Sequence, residues 1–361
     1  MTHKQSHQTL VLSKRDIQKI VFHYDLDTIM DTLIDQLEEA LATFNDQETD
    51  IPVRSGFSYR NPYQGLIEWM PLHDKKRDSI VNKIVGYHPA NPDKFDLPTI
   101  ISTISLYSAK TGQLLGLMDG VLLTALRTGA MSAIASKYLA QDKAGTLGLI
   151  GCGAQAVTQL HAISREFDLE KVMYYDIDPS AMQSFSDRLQ HLDLSIQMQS
   201  APIEEIVGES DILCTITSID VGAGPLFKDN LPRKNHLHIN AVGSDFPGKT
   251  ELAKELLHNG FVCPDYLDQA LIEGECQQLE ENRIGPELAQ IVKDPNAFEK
   301  YKNKVSVFDS TGFALQDQVA MHMFLNLAEE LGLGEKIVIE SISQDAKDPY
   351  DFVKKTTLVN V

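Results

Sequence analysis

The chain has 361 residues, 43% of them apolar and 23% charged, which suits a globular protein long enough for two domains and excludes a disordered one. Its 51 acidic residues against 32 basic ones leave a formal charge of −19, arguing against nucleic acid or an anionic membrane as partner, since both demand a basic surface. No apolar run reaches the ~18 residues of a membrane span, and MTHKQSHQTLVLSKRD lacks the apolar core and cleavage site of a signal peptide, so a cytoplasmic protein is expected.

In chain order, residues 16 to 45 carry apolar positions at mixed three- and four-residue spacing, the period of a helix. GLIEWMP, IVNKIVGYHP and LPTIISTISLYSAKTGQLLGLMD are short β-branched or alternating runs broken by Pro, Asn, Asp and Gly. They predict a small sheet with a hairpin at Lys110-Thr111-Gly112. Residues 121 to 139 predict a long helix rich in small residues. From Thr146 onward, TLGLIG, KVMYYD, a weaker LSIQMQ, DILCTIT, HLHINAVG, GFVCPD and KVSVFDS alternate with helical patterns, the mark of an α/β domain with a parallel, doubly wound sheet. A last helix, Ala314 to Leu331, returns the chain to the first domain. The expected division is therefore a Rossmann-type α/β domain over 129–324 and a discontinuous α+β domain over 1–128 and 325–361.

The motif that carries most chemistry is Gly151-x-Gly153-x-x-Ala156, which follows an apolar run and precedes a helix. Gly151 permits the tight turn, Gly153 lets the backbone approach a pyrophosphate, and Ala156 lets the helix pack on the sheet. The pyrophosphate sits on the helix N-terminus, near Ala154 and Gln155. Asp176 closes the next strand, where a carboxylate accepts ribose hydroxyls and repels a 2′-phosphate, so the predicted cofactor is NAD. Cys152, Cys214, Cys263 and Cys276 have no C-x-x-C spacing and read as reduced thiols. His236 and His238 lie two apart without a third ligand at metal spacing, and His88 reads as a turn residue, so no metal is assigned.

Parallel sheets bind ligands at the carboxyl ends of their strands, where Thr217, Ser218, Asp245, Asp309 and Ser310 stand. Arg127 sits among small and apolar neighbours, and its planar fork suits a carboxylate, though an ion pair between domains would explain it equally. Glu68 is flanked by apolar residues and is costly to bury unpaired, so it binds a substrate amine or a water, with Lys83 as neighbour. Lys83 by itself reads as an edge-strand lysine. Asp245, before Phe-Pro-Gly, is either a proton-handling carboxylate or a turn residue.

Taken in order, GLIEWMP, LTALRTGAMSA, IGCGAQA, YYDIDP, HINAVGSDFPGKTEL, IEGECQQL and VFDSTGFALQD resemble the ornithine cyclodeaminase and μ-crystallin family over about residues 50 to 330, and the ornithine cyclodeaminases within it most closely. The resemblance implies conversion of L-ornithine to L-proline and ammonia, with NAD recycled in each turnover. It implies Arg127 and Lys83 on the substrate carboxylate, Asp245 as the residue that deprotonates the δ-ammonium, and Lys249 beside the nicotinamide. Thr99, Thr128, Thr217 and Ser310 are further expected cofactor contacts. Arg54 is expected as a second carboxylate ligand, with Arg60 competing because the segment between Arg54 and Glu68 is longer than in typical relatives. A homodimer built on the first domain is implied as well. Two alternatives use the same residues: an imine reductase or amino acid dehydrogenase with net redox change, and a non-catalytic, crystallin-like binder.

Overall fold

A computed structural model describes residues 8–350, apart from Asp193 and Gln344. It contains two sheets. Seven parallel strands lie in the order Gln197–Ser200, Lys171–Tyr175, Thr146–Ile150, Ile212–Thr215, His238–Ala241, Ser306–Asp309, Phe261–Pro264. The chain order reverses at Thr146–Ile150, and the crevice of such a sheet opens at that reversal, beyond the strand carboxyl ends. Every residue of the strands Ile212–Thr215, His238–Ala241 and Ser306–Asp309 is buried, as expected of a sheet covered on both faces.

The second sheet has eight strands. Its path runs Glu335–Ile337, Thr9–Leu12, Leu114–Asp119, Ile100–Ser108, Ser79–Tyr87, Gly65–Asp74, Thr49–Asp50, and Ser55–Tyr59 also pairs with Gly65–Asp74. The hairpin at Lys110-Thr111-Gly112 falls where the sequence places it, with Gly112 at φ 75°. Three expectations change. The single helix over 16–45 is two, Lys14–Tyr24 and Leu26–Thr43, broken at Asp25 (φ 58°), whose carboxylate caps the second by accepting from the Thr28 N–H at 2.8 Å. The weak strand LSIQMQ is shifted to Gln197–Ser200. The first and last strands of the mixed sheet, four and three residues long, are too short to show alternation and were not anticipated.

One helix joins the two sheets. Val121–Leu139 is buried on nearly every side because its face residues are small: Gly129, Ala130, Ser132, Ala133 and Ser136 let helices and strands approach closely. It packs against Leu26–Thr43, Ala154–Glu166 and Ala314–Glu330, and this shared core fixes the mixed sheet over the crevice of the parallel one. The opposite face of the mixed sheet is open. Phe57 pairs with Ile67, Ile67 with Gly86, and Gly86 with Ile101, and Phe57, Ile67 and Ile101 in this row, with Ile84 beside it, are exposed.

Candidate active site

The glycine turn has the geometry its residues require. Gly151 sits at φ 106°, and a Cβ there would lie 2.7 Å from the Ile216 carbonyl oxygen, so the position admits glycine alone. A Cβ on Gly153 would meet nothing within 4 Å, which leaves room for a ligand at the backbone. Ala154–Glu166 begins there with no side chain capping its N-terminus, so its first N–H groups are available to an anion. Asp176 is tied to the turn by accepting from the Cys152 N–H (2.6 Å) and the Asp178 N–H (2.9 Å). Arg188, which the sequence did not single out, donates to the carbonyls of Cys152 (2.7 Å) and Ala181 (2.8 Å) and lies over the Phe185 ring. The loop's carbonyl side is thereby occupied by protein. These features fit a dinucleotide, as does the buried Ser310 hydroxyl, which has no hydrogen-bond partner.

Beside this turn lies a cavity of ≈ 100 Å³ to which both halves of the chain contribute. Arg54, Glu68 and Lys83 come from the mixed sheet and its hairpin, Arg127 and Thr128 from the joining helix, Gln155 from the glycine-turn helix, and Asp245 and Ser310 from the parallel strand ends. Lys83 is 1% exposed, not a solvated edge residue. Its partner is Asp317, at 2.8 Å, rather than Glu68. Burial, then the neighbouring Arg127, push its pKa down to about 7 against the pull of Asp317. Arg127 donates to Gln316 Oε1 (2.6 Å) and its Nε is 3.4 Å from Asp317, so one buried carboxylate serves two cations. Gly312, at φ 80°, makes room for that guanidinium: a Cβ would stand 2.6 Å from Arg127 Nη1.

Arg54 enters from the opposite wall. Its Nη2 donates to the carbonyls of Thr311 (2.5 Å) and Gly312 (2.6 Å), and its Nη1 is 3.0 Å from Glu273 and 3.8 Å from Glu68. Burial raises the Glu68 pKa, Arg54 opposes this, and Asp245 adds to it. Asp245 accepts from Lys249 Nζ at 2.8 Å. Arg60 lines a neighbouring cavity of ≈ 270 Å³ with Tyr59, Gln64, Tyr87 and Phe246, so of the two competing arginines it is Arg54 that reaches Glu68.

Three expected cofactor contacts have other partners. Lys249 is engaged with Asp245 and stacked over Tyr87 and does not line the cavity. Thr217 spends both its N–H and its hydroxyl on Glu251, at 2.7 and 2.6 Å. Thr99 accepts from the His88 N–H, and the next residue, Ile100, lines the cavity instead. His236 bonds Asp211, and buried His238 bonds Ser306 and Asn240.

Behind the site lie further acids, of which the sequence singled out only Asp309. Glu251 accepts from Thr217 and the Gly243 N–H, Glu275 from the N–H groups of Glu251 and Leu252, Asp309 from those of Glu275 and Cys276, and Asp265 from the Gly312 N–H and Thr311 hydroxyl. Each is a buried acid whose pKa burial raises and whose oxygens are satisfied by loop N–H groups and hydroxyls. Together they pin the loops at the strand ends, so that Asp245, Ser310 and the carbonyls holding Arg54 are fixed in place. Glu251, Glu275, Asp309 and Asp317 all lie inside SDFPGKTEL, IEGECQQL and VFDSTGFALQD. An acid within an otherwise buried string was the signal available.

The fold and the glycine turn define a dinucleotide-binding enzyme type, with a cation-lined cavity beside the turn. The Ornithine cyclodeaminase/mu-crystallin family profile matches residues 16–330, and the chain belongs to that family. It is 42% identical over 344 residues to L-lysine cyclodeaminase of Streptomyces rapamycinicus, covering 95% of this chain and 99% of that one. A solved lysine cyclodeaminase, described for its recognition of L-lysine, L-ornithine and L-2,4-diaminobutyric acid, superposes with a TM-score of 0.92 at 47% identity, covering 96% of this chain and 99% of that one. An archaeal alanine dehydrogenase dimer with bound NAD superposes at 0.81 and 30% identity, covering 92% and 100%.

Proposed function

We propose that this protein is an NAD-dependent cyclodeaminase of L-α,ω-diamino acids. The observation that carries this reading is one cavity lined by Arg54, Lys83, Arg127, Glu68 and Asp245, with a dinucleotide turn beside it. The three cations bind the substrate carboxylate and thereby orient the α-carbon. Bound NAD would supply the acceptor and then the donor of the α-hydride, so the cycle has no net redox change. Asp245 takes a proton from the ω-ammonium and frees the amine to attack the α-carbon. Glu68, whose pKa burial raises above the ordinary carboxylate value against the pull of Arg54, is the acid that protonates the departing α-amine, which leaves as ammonia.

L-Ornithine gives proline by this route, and L-lysine gives the six-membered piperidine-2-carboxylate. The narrower expectation of ornithine stands within the proposal, and lysine joins it because the similar proteins include lysine cyclodeaminases. One methylene distinguishes the two substrates, about 1–3 kcal/mol of discrimination in an apolar wall. The test is incubation with each amino acid and catalytic NAD⁺, quantifying cyclic product, ammonia and NADH absorbance. Equal product and ammonia without accumulating NADH is the expected result. NADH rising in step with substrate loss would select the second reading, net amino acid oxidation, which the likeness to alanine dehydrogenase supports.

The cofactor assignment makes a separate prediction. Asp176→Ala should weaken NAD by about tenfold and narrow its advantage over NADP, because the ribose acceptor and the repulsion of a 2′-phosphate go together. Equal changes for both cofactors in a titration would remove Asp176 from the ribose site. The proposed homodimer is supported by the exposed row Phe57, Ile67 and Ile101, a sheet face that a second copy would cover. In the proposed division into 1–128 with 325–361 and 129–324, the first boundary falls within the shared helix Val121–Leu139.

A further inference from the structure

We propose that Glu273 is a positioning residue that holds the Arg54 guanidinium in the orientation that receives the substrate carboxylate. This deepens the function proposed above and rests on Arg54 being a carboxylate ligand. Arg54 is otherwise fixed at two places: its backbone N–H donates to Gln269 Oε1 at 3.0 Å, and its Nη2 bonds the Thr311 and Gly312 carbonyls. The remaining end, Nη1, has two carboxylates to choose between, Glu273 at 3.0 Å and Glu68 at 3.8 Å. Only one of them borders the cavity. Glu68 lines the cavity, whereas Glu273 is 2% exposed and does not. With Glu273 gone, Nη1 would close on Glu68, and the ion pair inside the cavity would consume both the cation meant for the substrate carboxylate and the acid meant for the departing α-amine.

The charge state of Glu273 matters to this role. Its Oε1 has no hydrogen-bond partner although the guanidinium is 3.0 Å away, and the titratable groups that face it are Arg54, Glu68 and Asp245. Burial pushes its pKa up to about 8, opposed by Arg54 and reinforced by Glu68 and Asp245. Below that pH the neutral carboxyl orients Arg54 without cancelling its charge. As pH rises through about 8 it ionises and competes with the substrate carboxylate for the same guanidinium.

The experiment is calorimetric titration of the NADH-loaded enzyme with L-norleucine, which carries lysine's carboxylate and α-amine but no ω-amine. At pH 7, Glu273→Leu and Arg54→Ala should each weaken binding by about tenfold or more, and Glu273→Gln, which keeps the shape and polar end, should recover most of the loss. Adding Glu68→Gln to Glu273→Leu should also recover part of it, because the competing carboxylate is gone. NADH affinity should move in none of them. Should Arg54→Ala lose norleucine while Glu273→Leu binds as wild type does, Arg54 needs no help from Glu273 and the proposal is overturned. If Arg54→Ala itself binds normally, what fails is the carboxylate role of Arg54. If Glu273→Leu does not fold, the comparison runs between wild type and Glu273→Gln from pH 7 to pH 9: wild type should lose more affinity, and parallel profiles would overturn the proposal.

Discussion

Asp245→Asn should reduce cyclisation of L-lysine and L-ornithine by about 10²–10⁴-fold, the range a positioned general base supplies, while NAD affinity stays within about twofold. The carboxylate lines the cavity beyond the end of the strand His238–Ala241, and its hydrogen bond is to Lys249 rather than to the glycine turn. Asparagine keeps the side-chain oxygen that accepts from Lys249, so the loop retains its bond, but it cannot take a proton from an ω-ammonium. Without that proton transfer the amine has no lone pair with which to attack. A useful separation follows from the chemistry: oxidation at the α-carbon does not involve the ω-amine, so the variant should still form NADH in a single turnover while cyclic product disappears. The check is rapid-mixing absorbance for NADH beside quantified cyclic product. Turnover within tenfold of wild type would remove Asp245 from proton handling and leave it as a partner of Lys249.

The difference between what the residues announced and what the structure adds has a physical basis. Local signals were readable: a glycine turn needs glycine for steric reasons that act within a few residues, and strands buried on both faces are apolar throughout, so Thr146–Ile150 and its neighbours stood out. Glu68, Arg127 and Asp245 were also visible as polar groups in apolar or strand-end contexts, Arg54 and Lys83 only through the family resemblance, and the cavity brings all five together. Their partners were not visible, because pairing across the chain leaves no mark on local pattern. Lys83 and Asp317 are 234 positions apart, and Glu68, the neighbour expected for Lys83, lines the same cavity but does not pair with it. The partners of Lys249 and Thr217 were hidden for the same reason: their polar ends bond Asp245 and Glu251. The short strands at the edge of the mixed sheet are held by pairing with distant strands rather than by their own composition.

Asp317→Asn should destabilise the protein by about 3–5 kcal/mol, the cost of breaking a buried ion pair by removing one partner. Asp317 is fully buried, with Lys83 Nζ at 2.8 Å and Arg127 Nε at 3.4 Å, so the substitution leaves two buried bases without the carboxylate they share. They respond differently to pH. Arg127 keeps its charge at any accessible pH, and its share of the loss should be constant. Lys83 is a base whose folded pKa, about 7, lies below its ordinary 10.5. Such a depressed base is a cost that is full below its folded pKa and fades as pH rises towards its unfolded pKa. Losing Asp317 lowers the folded value further, and above about pH 7 both proteins hold Lys83 neutral and bear the same cost from it. The variant's extra deficit from Lys83 therefore appears only as pH falls below about 7, so the gap between wild type and Asp317→Asn in urea unfolding should be wider at pH 6 than at pH 8.5. A gap below about 1 kcal/mol at both values would mean that the two cations find other compensation and that Asp317 is not what keeps them buried. A substantial gap of equal size at both would assign the loss to Arg127 and leave Lys83 neutral throughout, in which case Lys83 could serve the substrate carboxylate only as a hydrogen-bond donor.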